Sequence, residues 1–293
     1  MPRPFVKINV PPLLIMALMA FCVGMAHAAE KIDVMTGIAP YTYLAERIGG
    51  DNVRIGTLIK QSQDPHTFEP SPKQILSIGS ARIFFLAGLD FEKHLSAKIQ
   101  NSFPGLAFVD LSAGLVSEEE IDADEGGTEH HGDQDQHLWL SPKILKIQAE
   151  RMAEAFSRED KKHTDVYYAN LHAFQEELDR LTARIARQLQ PFRGRTFFVF
   201  HPAFASFAEE FGLHQKAVET NNRMSSPKQI AALIDAAGKE GVKIIFVQPQ
   251  FDQTSAKTIA SSIGGAVVAL DPLAKDVLNN FSVIADKLEG AFQ

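Results

Sequence analysis

The chain has 293 residues, with 36 acidic against 29 basic side chains and a formal net charge of −7. That balance argues against a nucleic-acid binder, which needs a basic surface, and suits attraction of a cation. The one cysteine, Cys22, lies close to the N-terminus, so the rest of the chain forms no internal disulfide and offers no soft sulfur ligand.

The first residues read as an export signal. Arg3 and Lys7 give a positive start, and Leu13 to Val23 is an apolar run too short to span a bilayer. Ala26-His27-Ala28 then supplies small residues for cleavage near Ala28. A lipid on Cys22 is the other reading, but Phe21 before it is bulkier than such a site prefers. After the signal, short β-branched or aromatic runs alternate with helical stretches. Ile32–Ile38, Val53–Ile59, Arg82–Ala87 and Ala107–Leu111 are expected strands, and Thr196–Phe200, Lys243–Gln248 and Ala266–Leu270 follow later. The runs at 84–86 and 244–247 are apolar on both faces, as parallel strands covered by helices require. Alternating βα units imply an α/β fold with parallel sheets.

Helix starts are marked by Ser-Pro. Ser71-Pro72-Lys73-Gln74, Ser141-Pro142-Lys143 and Ser226-Pro227-Lys228-Gln229 each place Ser at N-cap and Pro at the first helical position. The first and third also carry Gln three residues on, the pattern of a capping box. Thr164 to Gln190 is the longest helical pattern, with Tyr167, Leu171, Phe174, Leu178, Leu181, Ile185 and Leu189 forming one apolar stripe. Ser117 to Gln136 is acidic and poor in apolar residues, with His130 and His131 inside it. It reads either as a solvated surface loop or as a metal-gathering loop beside His137. The expected division is an export segment, 1–28; a first α/β lobe, 29–162, carrying the acidic loop 117–136; a linking helix, 163–191; and a second α/β lobe, 192–293.

Three histidines stand out from this frame, each followed closely by an aromatic ring. They are Asp64-Pro65-His66-Thr67-Phe68, Asp135-Gln136-His137-Leu138-Trp139 and His201-Pro202-Ala203-Phe204. His201 ends one expected strand, and Asp271, in Leu270-Asp271-Pro272, ends another. Open α/β sheets place their ligand loops at such strand ends. Imidazole and carboxylate are ligands that zinc prefers, whereas manganese favours more oxygen. Donors this far apart cannot form a local clip, so His66, His137, His201 and Asp271 are expected to bring four segments to one metal. His94, His163, His172 and His214 fall in or beside helices and are not expected ligands. Asp64 and Asp135 are either acceptors for the second ring nitrogen of their histidines or turn formers.

These motifs, in this order and with the long helix between lobes, resemble the metal-binding solute receptors of bacterial ABC importers, most closely the zinc type. The likeness runs from about Lys31 to the C-terminus. It implies two α/β lobes joined by one long rigid helix, with Zn2+ in the cleft between them. It also implies delivery of that ion in the periplasm to an inner-membrane permease driven by a cytoplasmic ATPase. Histidine at the third ligand position, here His201, marks zinc receptors of the family, where manganese and iron receptors usually have Glu. Gln248 stands where relatives often have Glu. A monomer that binds metal without catalysis is the expectation. A secreted zinc hydrolase is the reading from another class; the chain has no His-Glu-x-x-His and no Gly-x-Ser-x-Gly to support it. An adhesin finds no repeat or stalk.

Overall fold

The structure is a computed structural model that describes residues 31–293, apart from 62, 116–134, 221–222, 225–226, 240 and 252. The expected export segment, most of the acidic loop with His130 and His131, and the Ser226 cap therefore lie outside the described residues.

The first sheet has four parallel strands: β1 (Ile32–Thr36), β2 (Val53–Thr57), β3 (Ile83–Leu86) and β4 (Ala107–Asp110). Their order is β2-β1-β3-β4. The second is also four-stranded and parallel, with β5 (Thr196–Val199), β6 (His214–Ala217), β9 (Ile244–Val247) and β10 (Ala266–Ala269) in the order β10-β9-β5-β6. Between β6 and β9 lies a short antiparallel pair, β7 (Glu219–Thr220) and β8 (Arg223–Met224). In each sheet the chain reverses its direction of travel beside its first strand, which opens a crevice at the strands' C-terminal ends. All seven expected strands form. β6 and the β7–β8 pair were not expected: His-Gln-Lys-Ala is a polar, partly exposed edge with no apolar run to mark it.

The helices start where the sequence placed them. In α2 (Pro72–Gly79), Ser71 Oγ accepts from Gln74 N while Gln74 Oε1 accepts from Ser71 N at 3.0 Å, a complete capping box. In α4 (Pro142–Glu159), Ser141 Oγ accepts from Ile144 N at 3.3 Å. Helix α5 (Thr164–Leu189), at ~1.5 Å per residue about 39 Å long, turns its stripe inward. Six of the seven stripe residues are buried and Leu181 is partly so. The remaining helices are α1 (Ala39–Gly49), α3 (Asp90–Ile99), α6 (Ala205–Phe211), α7 (Pro227–Lys239), α8 (Gln253–Ser262) and α9 (Val277–Phe292).

Helix α5 links the lobes by more than connection. It packs against α1 and α4 of the first lobe and against α9 of the second. One hydrophobic core runs from Val34 and Phe85 through Trp139, Phe174 and Phe207 to Phe246, Phe281 and Leu288. A smaller core, built on Phe198, Phe200, Ile245 and Val247, covers the other face of the second sheet. The alternation Phe197, Val199 against Phe198, Phe200 shows why: a buried parallel strand feeds both faces. No helix among the described residues is long and apolar enough to cross a membrane.

Candidate metal centre

The three histidines sit on loops that leave the C-terminal ends of β2, β4 and β5. His66 lies in the β2–α2 loop, where Asp64 Oδ1 accepts its backbone N–H at 2.9 Å and Asp64 Oδ2 accepts from Thr67 Oγ1 at 3.2 Å. His137 opens a single helical turn, Leu138–Leu140, that leads into Ser141 and α4. Asp135 Oδ1 accepts both the backbone N–H of His137, at 2.9 Å, and its ring Nδ1–H, at 2.8 Å. His201 follows β5 directly and is latched by Gln248, whose Nε2 donates to His201 O at 2.7 Å while its Oε1 accepts from His201 N at 3.3 Å. The His201 ring Nδ1 meets Glu219 Oε2 at 3.1 Å.

These partners decide which nitrogen faces the cleft. A carboxylate behind Nδ1 keeps the proton there and leaves Nε2 as a bare donor, the tautomer that metal-binding imidazoles use. So oriented, His137 and His201 present Nε2 toward His66. The three rings surround one point, with centroids 4.8 to 5.9 Å apart. Their ligand atoms all lie within 4.8 Å of one another, and His66 Nε2 and His201 Nε2 are 3.1 Å apart. Two nitrogens on a tetrahedral zinc, at ~2.0–2.1 Å each, stand about 3.3 Å apart. The donor set and its spacing therefore fit zinc.

The walls are apolar. Pro65, Leu89, Trp139, Phe251, Pro272 and Leu273 line the pocket around the imidazoles. The His201 ring stacks on Phe251 with centroids 4.9 Å apart, and Trp139 meets the His137 ring edge-on at 5.3 Å. Burial is the main reason the His66 pKa falls, to about 4, and the other two rings push it the same way. Burial likewise lowers that of His201, against the pull of Glu219. Both effects favour neutral rings, the form that binds metal. Burial opposes ionisation of Asp135, yet hydrogen bonds from His137 and Ser206 hold its pKa below the ordinary value.

Asp271 is placed differently from the histidines. It follows β10 as expected, but among the described residues the metal-competent group contains His66, His137 and His201 only. Its carboxylate forms a clasp between lobes: Oδ2 accepts from Gln61 Nε2 at 2.7 Å, and Oδ1 from Gln250 Nε2 at 2.8 Å and Leu273 N at 2.9 Å. Gln250 Nε2 also donates to Gln61 O at 2.7 Å. The two Asp-x-His motifs diverge as well. Asp64 is a turn former, whereas Asp135 forms the turn and also takes the ring N–H. Glu219, Gln61 and Gln250 were missed by sequence reasoning, and Gln248 was noted through the family resemblance without its role as a latch on His201. Glu219 opens β7 after the unmarked strand β6, so no local signal pointed to it, nor to Gln61 or Gln250. Elsewhere, His94 bonds to the Asp90 carbonyl and His163 to Asp160, away from the group.

Fold and site together define a class: a two-lobed α/β protein with long-helix linkage whose cleft gathers three imidazoles that could hold a metal ion. The chain belongs to the family described as zinc-uptake complex component A, periplasmic, whose family model it matches over residues 34–286. It is 30% identical over 279 residues to a putative metal-binding protein of Chlamydia muridarum, covering 93% of this chain and 97% of the relative. It is 26% identical to the high-affinity zinc uptake system protein ZnuA of Brucella abortus, over 89% of each chain. Among solved structures it superimposes on a zinc-bound deletion mutant of ZnuA with a TM-score of 0.81 at 35% identity, covering 89% of this chain and 98% of that one.

Proposed function

We infer that this protein is the zinc-binding receptor of an ABC-type importer, which takes up Zn2+ in the periplasm and hands it to an inner-membrane permease driven by a cytoplasmic ATPase. The observation that carries the reading is the convergence of His66, His137 and His201, with carboxylates behind the latter two. The export signal expected from the sequence to end near Ala28, and membership of the zinc-uptake family, support the location and the importer. The cation is cargo, and on capture it would exchange part of its water shell for the imidazole nitrogens. Three imidazoles fixed in advance on separate loops spare the cost of ordering them at capture. The fourth position falls to Asp271 or to a water.

Receptor is favoured over catalyst by how the nearby carboxylates are used. Asp135 and Glu219 are committed to imidazole nitrogens, which leaves neither poised as a general base for a metal-bound water. We read the protein as a monomer and not an enzyme. The test is metal analysis of protein purified without chelator, followed by competition of zinc and manganese at equal concentration. One bound zinc per chain, undisplaced by manganese, is expected. Preference for manganese would sink the assignment of cargo, because three nitrogens and at most one carboxylate are a poor match to its oxygen preference.

A further inference from the structure

The segment from Asp135 to Ser141 does two things at once. It carries His137, and it makes polar ties that cross to the second lobe. Trp139 Nε1 donates to Pro272 O at 2.7 Å, and Ser141 Oγ to Glu210 Oε2 at 3.3 Å. Most tightly held is Asp135, whose side chain is 7% exposed. Its Oδ1 accepts both bonds from His137, and its Oδ2 accepts from Ser206 N at 3.1 Å and Ser206 Oγ at 2.7 Å. Ser206 belongs to α6 in the second lobe, so one carboxylate divides its two oxygens between a metal-facing ring and the opposite lobe. A carboxylate has about four acceptor positions, and four donors fill them. Asp64 shares the local motif, but both its oxygens are used within its own loop.

We propose that Asp135 is a positioning residue that joins the orientation of His137 to the seating of α6, so that metal capture and lobe docking are one event. The geometry carries the coupling. The His137 ring cannot turn without dragging Asp135, and Asp135 cannot move without releasing both bonds from Ser206. Coupling between binding events is reciprocal. A metal that fixes His137 tightens the Ser206 contact, and a partner that pulls on α6 loosens the metal. This rests on the receptor reading and deepens it, since it gives the permease a handle on the cargo that does not touch the imidazoles.

The test uses the full chain, zinc competed against a chromophoric chelator, and hydrogen exchange across residues 205–211. Asp135→Asn should weaken zinc by about 10–100-fold, the usual effect of losing a partner of a metal-bound histidine. It should also shift the visible absorption of bound cobalt(II), which follows ligand geometry and which a mere loss of stability would leave unchanged. Ser206→Ala decides the coupling, because it leaves both bonds between Asp135 and His137 in place. The loss of one hydrogen bond corresponds to about 2–10-fold in zinc affinity, and zinc should then protect the α6 amides less than in the parent. The double variant should bind no more weakly than Asp135→Asn alone. If the parent binds zinc and Ser206→Ala leaves both affinity and α6 protection unchanged, the coupling is overturned and the receptor reading stands. A parent that binds no zinc overturns both. Should Asp135→Asn fail to fold, the Ser206→Ala result alone still decides.

Discussion

Two buried carboxylates in the first lobe have opposite fates. Asp135 borders the metal centre, takes four hydrogen bonds across both oxygens, and has its pKa held down. Glu92, on α3, is wholly enclosed. Its Oε2 accepts from Ala87 N at 2.7 Å and Leu89 N at 3.1 Å, but its Oε1 has no hydrogen-bond partner among the described residues. Oε1 lies against Gly37, where an added Cβ would come within 1.9 Å of it, so a larger residue there would have to displace the Glu92 carboxyl. Tyr41 Oη and both polar atoms of the Gln148 amide are also buried, with no well-formed hydrogen bond among the described residues. Burial drives the Glu92 pKa up to about 8, Asp110 pushes the same way, and the backbone N–H groups offset only part of it. Burial alone therefore does not decide whether a carboxyl is charged. The decisive factor is how many donors reach both of its oxygens. The cleft is built to hold charge and the core beneath the Ala87–Leu89 loop to avoid it.

The largest expected effect removes what the charge at Asp135 serves. His137→Ala should weaken zinc by more than the ~10–100-fold expected from loss of a supporting carboxylate, while Glu92→Gln should leave zinc affinity within a few-fold. Chelator-competition titrations of the two variants check this. Equal losses would erase the distinction between the regions.

Next in size is a stability slope. With a folded pKa of about 8 against an ordinary value of 4.5, the folded chain keeps the Glu92 proton over a range where the unfolded chain has lost it. Stability from this group thus falls as pH rises from about 4.5 to about 8, at up to ~1.4 kcal/mol per pH unit, and levels off above. Gln mimics the protonated acid, so Glu92→Gln should match the parent at pH 4 and melt at a higher temperature at pH 9. Parallel melting curves across that range would mean that Glu92 is charged in the fold and that the contrast with Asp135 is wrong.

The smallest effect concerns the clasp at the cleft mouth. Gln250→Ala removes the bonds from Gln250 to Asp271 and to the Gln61 carbonyl while leaving the imidazoles alone. Zinc should dissociate about 2–10-fold faster, the loss of a hydrogen bond or two at the rim. Stopped-flow chelator capture measures it, and a rate equal to the parent's would show that the clasp plays no part in retention.

Much of this was legible because it is local. Apolar runs such as Phe84-Phe85-Leu86 and Ile244-Ile245-Phe246-Val247 announce buried strands, and Ser-Pro announces helix starts. His66 and His137 could be picked out by their shared Asp-x-His-x-aromatic motif, and His201 by its place just past a strand end, where a parallel sheet opens its crevice. What was not legible depends on distant packing. Strand β6 is polar and pairs only because β5 lies beside it. Glu219 reaches His201 through the β6–β7 connection, and Gln248 through the neighbouring strand β9. Gln61 meets Asp271 across the cleft. Asp64 and Asp135 have the same local motif, and their roles separate where Asp135 takes the ring N–H of His137 and where Ser206 arrives from the other lobe. The shared core is equally non-local: a stripe on α5 tells that the helix is buried, not that α1, α4 and α9 all press on it.

Trp139 is the chain's one tryptophan. It is fully enclosed, edge-on to the His137 ring and tied by its N–H to Pro272 in the opposite lobe. An indole so placed lies against both things that change when cargo arrives: the electronic state of an imidazole and the fit of the two lobes. The molecule thus contains its own optical gauge. Loading and unloading can be followed by intrinsic emission, label-free and on the time scale of mixing, and excitation that selects tryptophan over the 4 tyrosines confines the signal to one residue.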